Sequence, residues 1–462
     1  MTEARQARRE LGGLLGLALP LCLGHLGHQF MSIVDTAMLG RYGSASLAGA
    51  GTAIGILFAI TVVGIGIVMG LDTLIPQSLG AGEERGARDL LASGVRLALV
   101  LTVPVSAIVV GAALILPHSG IESEVADQAA AHLYGRLPGI ASVLLFATLR
   151  SFLQAHGVTR PMVVATVLAN VVNFAGDWVL IFGDRGLERL GLPAVGLPAL
   201  GAFGSGVATS AAGWVSVLVA ALAVRSLLRA QAAGAPAAPM PARVARAPAI
   251  VRLGLPVGLQ LLAEVGVFAL TGVLAVILGR LPAAGHNIAL VLASFSFSTA
   301  IGIGAATSVR VGRAIGAGDT RAARRAGALG MVAAAGMMGA AGLLFLFMPH
   351  QLASLFSNDE AVRRAAVPLI RIAAVFQLSD AIQAVSAGAL RGAGATRFTF
   401  AANVVGHYAI GLPVALLLGF ALDMGAAGLW WGLSFGLTGV ALAQSLRFRR
   451  LTARPVARAR AA

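Results

Sequence analysis

Long apolar runs separated by short polar segments set the pattern of this chain. A bilayer core about 30 Å thick is crossed by about 20 helical residues, because a helix rises about 1.5 Å per residue. Twelve runs reach that length, which predicts an all-α polytopic membrane protein with twelve transmembrane helices. The runs cover residues 12–36, 46–70, 90–116, 132–154, 162–183, 203–228, 252–278, 285–309, 326–348, 366–390, 398–421 and 426–446.

The sixth and seventh runs are separated by Arg229–Ala247, which is rich in alanine, proline and arginine and therefore typical of a linker. This segment divides the chain into an N-terminal six-helix lobe (1–228), a cytoplasmic linker (229–247) and a C-terminal six-helix lobe with a basic cytoplasmic tail (248–462).

The two predicted lobes repeat one another in sequence. Three pairs of segments match at offsets of 236 or 237 residues, and each lobe holds an even number of spans. The repeats are therefore parallel and related by an axis along the membrane normal, an arrangement that places substrate and ion sites between or within the halves near the midplane. The pairs are Leu17-Ala-Leu-Pro20 with Leu253-Gly-Leu-Pro256, Gly80–Arg88 with Gly316–Arg324, and His156–Arg160 with Ala393–Arg397.

Composition supports a membrane protein and excludes several other classes. Only 11% of the residues are charged, against about 25% in a soluble protein of ordinary composition. The net charge of +15 does not indicate nucleic-acid binding, because the basic residues lie in short clusters between the apolar runs. The single cysteine, Cys22, permits no intramolecular disulfide and no thiolate metal site.

The distribution of arginine predicts the orientation in the membrane. With both termini in the cytoplasm, 26 arginines fall on the inner side and 8 on the outer side. Because cytoplasmic loops carry an excess of basic residues, we expect both termini inside and a multi-pass protein of the inner or plasma membrane.

Five carboxyl groups fall within the predicted spans or at their edges, where a charge costs about 2.5–3.5 kcal/mol on insertion scales. They are Asp35, Asp72, Asp177, Glu264 and Asp380. No arginine of the same span lies at their depth, so each is expected to be protonated or to bind a cation. Glu264 and Asp380 lie deepest, and Asn173 shares a helix face with Asp177. The alternatives are a packing hydrogen bond for any of them and a helix-end or gate position for Asp72.

Other polar and aromatic residues in the spans are candidates for a substrate cavity. They are Gln29, Gln260, Gln377, Phe268 and His407. Interhelical hydrogen bonding or packing explains them equally well. His25 and His28 lie three residues apart without a third ligand, so no metal site is expected beyond Na⁺ at Glu264 and Asp380.

Enzymatic motifs are missing from the sequence. No Gly-Lys-Ser/Thr loop is present to hold ATP, and the chain contains no lysine at all. We therefore expect neither an enzyme nor an ATP-driven pump, and no cofactor besides a transported coupling ion.

Almost the whole chain resembles the multidrug and toxic compound extrusion (MATE) family. The resemblance is carried by Val34-Asp-Thr-Ala-Met-Leu-Gly-Arg41, Leu200-Gly-Ala-Phe-Gly-Ser-Gly-Val-Ala-Thr209 and Leu390-Arg-Gly-Ala-Gly-Ala-Thr-Arg397. The second stretch, with Glu264 and Asp380, is similar to the NorM-type branch, whereas Leu71-Asp-Thr-Leu74 followed by Gln77 is more similar to eukaryotic members.

The resemblance implies roles for particular residues. Glu264 and Asp380 match the cation site of the C-terminal lobe. Asp35, Asn173 and Asp177 match its N-terminal counterpart, and Thr209 lies near that site.

Together these features predict an antiporter that exports organic compounds in exchange for inward Na⁺ or H⁺ by alternating access, through an outward V-shaped cavity between two lobes. An acid-rich, base-poor interior suits cationic substrates. The expected partners are the lipid bilayer and small organic substrates, with no nucleic acid, and the expected state is a monomer. The alternatives are a flippase for lipid-linked saccharides, which would need buried arginine or lysine to hold a pyrophosphate, and a membrane scaffold or receptor.

Overall fold

A computed structural model describes residues 3–189, 191–232 and 246–459, with side chains from Arg9 onward. Within these ranges, twelve helices are long and apolar enough to cross a membrane, and each predicted run falls on one of them, so the predicted twelve-helix fold is confirmed. They are α1 (Arg9–Tyr42), α2 (Ser44–Gly80), α3 (Glu84–His118), α4 (Ser123–Ala155), α5 (Arg160–Phe182), α6 (Gly201–Gln231), α7 (Ala247–Ile277), α8 (Arg280–Gly316), α9 (Thr320–Phe347), α10 (Glu360–Gly392), α11 (Thr396–Ala421) and α12 (Gly425–Leu451).

Several helices begin before the apolar run that predicts them. Asp319 caps α9 by accepting a hydrogen bond from the backbone N–H of Ala322 at 2.8 Å, and Asp359 caps α10 by accepting one from Ala361 at 2.8 Å. Such caps satisfy N–H groups that the first turn leaves without a partner. The polar ends of these helices therefore extend beyond the segment that hydropathy detects.

Two helices are not regular along their length. A turn at Met69–Gly70 divides α2 into Ser44–Val68 and Leu71–Gly80. In α11 the residues Val405–Gly411 form a π-helix. Pro413 follows this segment and cannot donate a hydrogen bond to the carbonyl four residues earlier, which favours a local widening of the helix.

The contacts within the chain define two compact units. Unit 1 contains the described residues up to His25, Asp72–Glu84 and those from Leu253 onward. Its core packs large side chains from α8, α10 and α12, among them Phe376 and Trp430. Unit 2 contains Leu26–Leu71 and the described residues from Arg85 to Arg252, with a core between α2, α3 and α4.

The predicted lobe boundaries follow the sequence repeat rather than these contacts, so the divisions at 228 and 248 stay predictions. Residues 233–245 of the predicted linker lie outside the described residues, as do the last three residues of the predicted tail.

In unit 1, the repeated Gly-Ala-Gly segments pack against each other reciprocally. A Cβ atom on Gly80 would meet the backbone carbonyl of Arg313, and one on Gly316 would meet the backbone carbonyl of Gln77. Gly80 and Gly316 are 236 residues apart, as are Gln77 and Arg313. Glycine is therefore required on both sides, because the two contacts are the same contact repeated by the internal symmetry.

The end of the chain packs on the same part of unit 1. Arg458 makes two hydrogen bonds to the Glu83 carboxylate, at 2.9 and 2.8 Å. The backbone N–H of Ala459 donates to the side-chain oxygen of Gln77 at 2.8 Å, and that of Val456 donates to the Thr320 hydroxyl at 3.2 Å. The described part of the basic tail thus contacts the end of α2, the residue before α3 and the first residue of α9.

Candidate functional site

The predicted N-terminal cation-site residues lie together in unit 2. The Thr209 hydroxyl is 3.2 Å from a carboxylate oxygen of Asp35 and accepts a hydrogen bond from the Asn173 amide at 3.3 Å. The Asp177 carboxyl adjoins that of Asp35 and the hydroxyl of Ser205. Three helices, α1, α5 and α6, therefore supply one polar cluster.

Local sequence explains how these side chains meet. Asn173 and Asp177 are four residues apart on α5, and Ser205 and Thr209 are four apart on α6, so each pair shares one helix face. Gly176 of α5 lies against Ala208 of α6, with too little room for a Cβ atom on the glycine. Small residues let the two helices approach closely and bring the polar faces together.

The cluster contains more oxygen atoms than hydrogen-bond donors. Asp35, Asn173 and Asp177 are buried, and four of their side-chain oxygens have no partner of normal geometry within the described structure. The hydroxyl of Ser205 is also buried and also has no partner of normal geometry. Two adjacent carboxylates repel each other unless a proton or a metal cation lies between them. This arrangement can therefore hold a proton or a small cation.

Two arginines of unit 2, Arg136 and Arg150, correct the expectation of a base-poor interior. The charge of Arg136 on α4 acts on Asp35 and on His28, and the charge of Arg150 acts on His28. Arg136 directly follows Gly135, whose carbonyl accepts a hydrogen bond from Ser210 at 2.9 Å, and Ser210 is the neighbour of Thr209. A guanidinium therefore lies near the Asp35–Asp177 pair.

The predicted C-terminal cation-site residues also come together, in unit 1. Glu264 on α7 is partly exposed, Asp380 on α10 is buried, and their carboxyl groups interact electrostatically. The Gln383 side chain, less than one turn beyond Asp380, hydrogen-bonds to Glu264. The repeat places Ile372 or Ala373 where unit 2 has Arg136, so this pair lacks the equivalent positive charge.

The two acidic pairs are not related by the internal repeat. At the offset of 236, Glu264 corresponds to His28 and Asp35 corresponds to Thr271. Thr271 is buried and donates its hydroxyl hydrogen to the Val267 carbonyl of its own helix at 2.8 Å. Each half has therefore placed its carboxyl pair at different positions of the same framework.

The predicted substrate-cavity residues occupy different environments. Gln29 and Phe268 are partly exposed, whereas Gln260, Gln377 and His407 are buried. The Gln377 amide donates to the Ser296 hydroxyl, and the ring centroids of His407 and Phe268 lie 6.4 Å apart. Their part in substrate binding stays a prediction.

Asn170 and Asp72 are two further polar residues with packing partners. Asn170 donates to the backbone carbonyls of Gly27 and Thr166, at 3.1 and 2.8 Å, so it joins α5 to α1. Asp72 is buried, and its backbone carbonyl accepts a hydrogen bond from Ser308 at 3.5 Å.

Carboxyl pairs on helices that cross a membrane are typical of proteins that move ions or polar solutes. Twelve such helices, built from a parallel repeat of six and carrying one acidic pair in each unit, define a membrane transport protein.

The sequence profile of the MatE family matches residues 20–179 and 256–417. The chain belongs to the MatE family. The two matches begin 236 residues apart, at the two prolines that open the sequence repeat, and this confirms the repeat of six spans.

Curated relatives align over nearly the whole chain. A probable multidrug resistance protein NorM from Pseudomonas putida is 33% identical over 444 residues, which are 95% of this chain and 94% of the relative. A multidrug resistance protein NorM from Photobacterium profundum is 30% identical over 449 residues, 96% of each chain. The predicted resemblance to the NorM-type branch is confirmed.

Solved structures share the fold at lower sequence identity. A eukaryotic MATE transporter superposes with a TM-score of 0.85 at 22% identity, covering 98% of this chain and all of the other. A MOP superfamily transporter from Pyrococcus furiosus gives a TM-score of 0.83 at 20% identity, covering 98% of both chains.

Proposed function

We propose that this protein is a secondary active antiporter that exports organic compounds, drug-like or metabolic and mainly cationic, in exchange for inward Na⁺ or H⁺ by alternating access. The observation that carries the proposal is the Glu264–Asp380 pair on α7 and α10 of unit 1. Two carboxyl groups that interact within the membrane, without a nearby arginine in the described structure, require positive charge to be stable. A coupling cation supplies that charge and is released when an organic cation takes its place.

The driving force of one such ion is large enough for export. Moving one charge across 100 mV releases about 2.3 kcal/mol. A tenfold proton gradient adds about 1.4 kcal/mol, and each 1.4 kcal/mol sustains a tenfold gradient of substrate. For a neutral compound a single coupled ion therefore supports more than a tenfold concentration outside. One-for-one exchange for an organic cation moves no net charge, so only the concentration gradient of the coupling ion drives it.

Arg136 gives the two pairs different charge requirements. The Glu264–Asp380 pair needs two positive charges for neutrality. The charge of Arg136 already acts on Asp35, so the Asp35–Asp177 pair needs a single further charge. We assign the exchanged cation to unit 1 for this reason. In unit 2 the arginine competes electrostatically with an incoming cation.

The relatives' names support export of drugs, since they are called multidrug resistance proteins. The arginine distribution supports an inner or plasma membrane location with both termini in the cytoplasm. We propose separately that the protein acts as a monomer. A flippase for lipid-linked saccharides is the alternative. Arg136 and Arg150 are the basic residues that a pyrophosphate would need, but both lie near His28 in a unit that also holds two acids.

Transport by purified protein in lipid vesicles tests the proposal. An imposed Na⁺ or H⁺ gradient should drive accumulation of a fluorescent organic cation, and Glu264→Gln or Asp380→Asn should reduce the initial rate by at least about tenfold, since one lost ionic partner costs more than 1.4 kcal/mol. Glu188→Gln, which removes an exposed carboxylate outside the twelve membrane-spanning helices, is the matched control. Gradient-driven transport that survives in both acid variants would refute this function.

A further inference from the structure

Unpartnered polar atoms are concentrated in one part of unit 1. Gln383, Asn403, His407 and Gln444 are at most 1% exposed, yet each has at least one side-chain nitrogen or oxygen without a hydrogen bond in the described structure. The atoms are Oε1 of Gln383, Nδ2 and Oδ1 of Asn403, both ring nitrogens of His407, and Nε2 of Gln444. They comprise both donors and acceptors.

Two of these side chains join the acidic pair to α12. Gln383 hydrogen-bonds to Glu264. Ser386, the next polar residue along α10, has its hydroxyl 3.1 Å from the Gln383 carbonyl and 3.2 Å from Oε1 of Gln444. A polar connection therefore runs from Glu264 through α10 to Gln444.

The register between α11 and α12 brings Asn403 close to the level of Gln444 along the two helices. Gly406 packs against Gly436 and Val440, and Gly411 packs against Gly432 and Gly436, so the two helices run antiparallel in close contact. Three residues before Gly406 on α11 correspond to about three residues beyond the Gly436–Val440 contact on α12. Asn403 therefore lies within about one to one and a half turns of the level of Gln444 on the facing helix. His407, one turn further along α11, belongs to the π-helical segment, a feature frequent at functional sites.

These atoms are incompatible with dry packing. A buried polar group without a partner costs about 1–3 kcal/mol, and more in a membrane, where lipid offers no alternative partner. Water is stable in a protein interior where it finds two to four polar partners. The unpartnered donors and acceptors of Gln383, Asn403 and Gln444, in a series that starts at the hydrogen bond from Gln383 to Glu264, meet that condition.

The polar residues lead toward one end of unit 1. Gln383 and Ser386 follow Asp380 toward the end of α10, Gln444 is near the end of α12, and Asn403 is near the start of α11. Arginines are clustered at that end, which places it on the predicted cytoplasmic side; among them are Arg391, Arg397, Arg447, Arg449 and Arg450.

An aromatic layer lies in the opposite direction. Phe268 packs against Phe376 with ring centroids 6.1 Å apart, and Phe376 packs against Trp430 at 5.7 Å. Trp430 and its neighbour His286 also have unpartnered nitrogens. The apolar rings of Phe268 and Phe376 separate Trp430 and His286 from the polar series.

We propose that Gln383, Ser386, Asn403 and Gln444 line a hydrated conduit through which the coupling cation leaves the Glu264–Asp380 pair toward the arginine-rich end of unit 1. This inference rests on the proposed antiport. These four side chains carry no charge and supply oxygen acceptors and N–H or O–H donors in series. They would conduct a proton along hydrogen-bonded water or pass a partly hydrated Na⁺.

Cysteine accessibility tests for water in the conduit. The only native cysteine is Cys22, so Asn403→Cys and Gln444→Cys are made in a Cys22→Ala background. A membrane-impermeant methanethiosulfonate reagent should modify both from the cytoplasmic face. Ala389→Cys, at a fully buried apolar position of α10 one turn beyond Ser386, should stay unmodified. If Asn403→Cys and Gln444→Cys are as unreactive as Ala389→Cys from both faces, the conduit does not exist.

Ion flux tests its role. Asn403→Leu and Gln444→Met fill the conduit with apolar atoms and should slow substrate-driven release of H⁺ or ²²Na⁺ at least about tenfold, while equilibrium binding of the ion is unchanged. Ser434→Ala on α12 removes a buried hydroxyl that already bonds to its own helix at 2.8 Å, and should have no effect.

Glu264→Gln separates the two proposals, because it should abolish binding as well as flux. If Glu264→Gln abolishes both but Asn403→Leu and Gln444→Met release the ion at the native rate, the conduit is wrong and the antiport stands. If Glu264→Gln changes nothing, the antiport itself is wrong.

Discussion

For single residues, Arg136 shows what a hydropathy pattern cannot predict. The fourth apolar run begins at residue 132, which makes Arg136 a boundary residue on the predicted outer side. The helix itself begins at Ser123, thirteen residues before Arg136, so Arg136 lies more than three turns inside α4. Its electrostatic interaction with Asp35 depends on that longer helix and on the packing of α4 against α6, and neither is encoded in the run of apolar residues.

The acids were easier to predict than their partners. Asp35, Asp177, Glu264 and Asp380 stand out because lipid does not tolerate lone carboxylates. Ser205 gives no such signal, since hydroxyl residues are common on helices that pack in membranes. It is recognised as part of the site by its burial next to Asp177.

Replacing Arg136 should change how unit 2 binds organic cations. Arg136→Gln removes the positive charge near Asp35 and leaves the two carboxyl groups uncompensated, so a lipophilic cation such as tetraphenylphosphonium should bind at least several-fold more tightly. Arg136→Lys keeps the charge and serves as the control. Equal affinities of the two variants in a filter-binding assay would show that the guanidinium does not act on the site.

At the scale of elements, α11 departs most from a regular helix. Its apolar run predicts the span correctly, but the π-helical segment Val405–Gly411 depends on hydrogen bonds that a hydrophobicity pattern does not report. Pro413 is the local signal for it, because a proline removes one backbone donor.

Pro413→Ala should convert this segment toward a regular α-helix. A π-helical turn contains one residue more than an α-helical turn, and each residue of a helix turns by about 100°. Losing the extra residue would therefore rotate the preceding side chains by about 100° and turn His407 and Asn403 out of their present positions. We expect a higher melting temperature in detergent together with slower transport in vesicles. A variant that is stabilised and transports at the native rate would show that the π-helix has no functional part.

The reciprocal glycine contact is the second element-scale feature. Gly80→Ala and Gly316→Ala each place a methyl group against a backbone carbonyl of the facing segment, which cannot shift as a side chain would. Both should lower the melting temperature, and by similar amounts because the repeat makes the contacts equivalent. Gly55→Ala on α2, where no atom lies within 4 Å of the new methyl group, should be neutral or slightly stabilising. A clear difference between Gly80→Ala and Gly316→Ala would contradict the equivalence.

For the whole molecule, the sequence predicted the fold class, the number of spans and the repeat, because lipid imposes a length and a polarity on every crossing helix. The grouping of residues by contact could not be predicted in this way. Asp72–Glu84 belongs to the first repeat, but its contacts with Arg313, Ser308 and Gly392 place it in unit 1. The repeat also predicts equivalent sites, whereas the two carboxyl pairs occupy non-equivalent positions.

From the asymmetry of the two pairs we infer that the cation exchanged for substrate binds at Glu264 and Asp380. The most direct measurement is release of the bound ion, as H⁺ from weakly buffered solution or as ²²Na⁺, when an organic cation is added to the purified protein. The native protein and Asp35→Asn should release it, whereas Glu264→Gln and Asp380→Asn should not. Undiminished release from the Glu264→Gln/Asp380→Asn double variant would contradict the account.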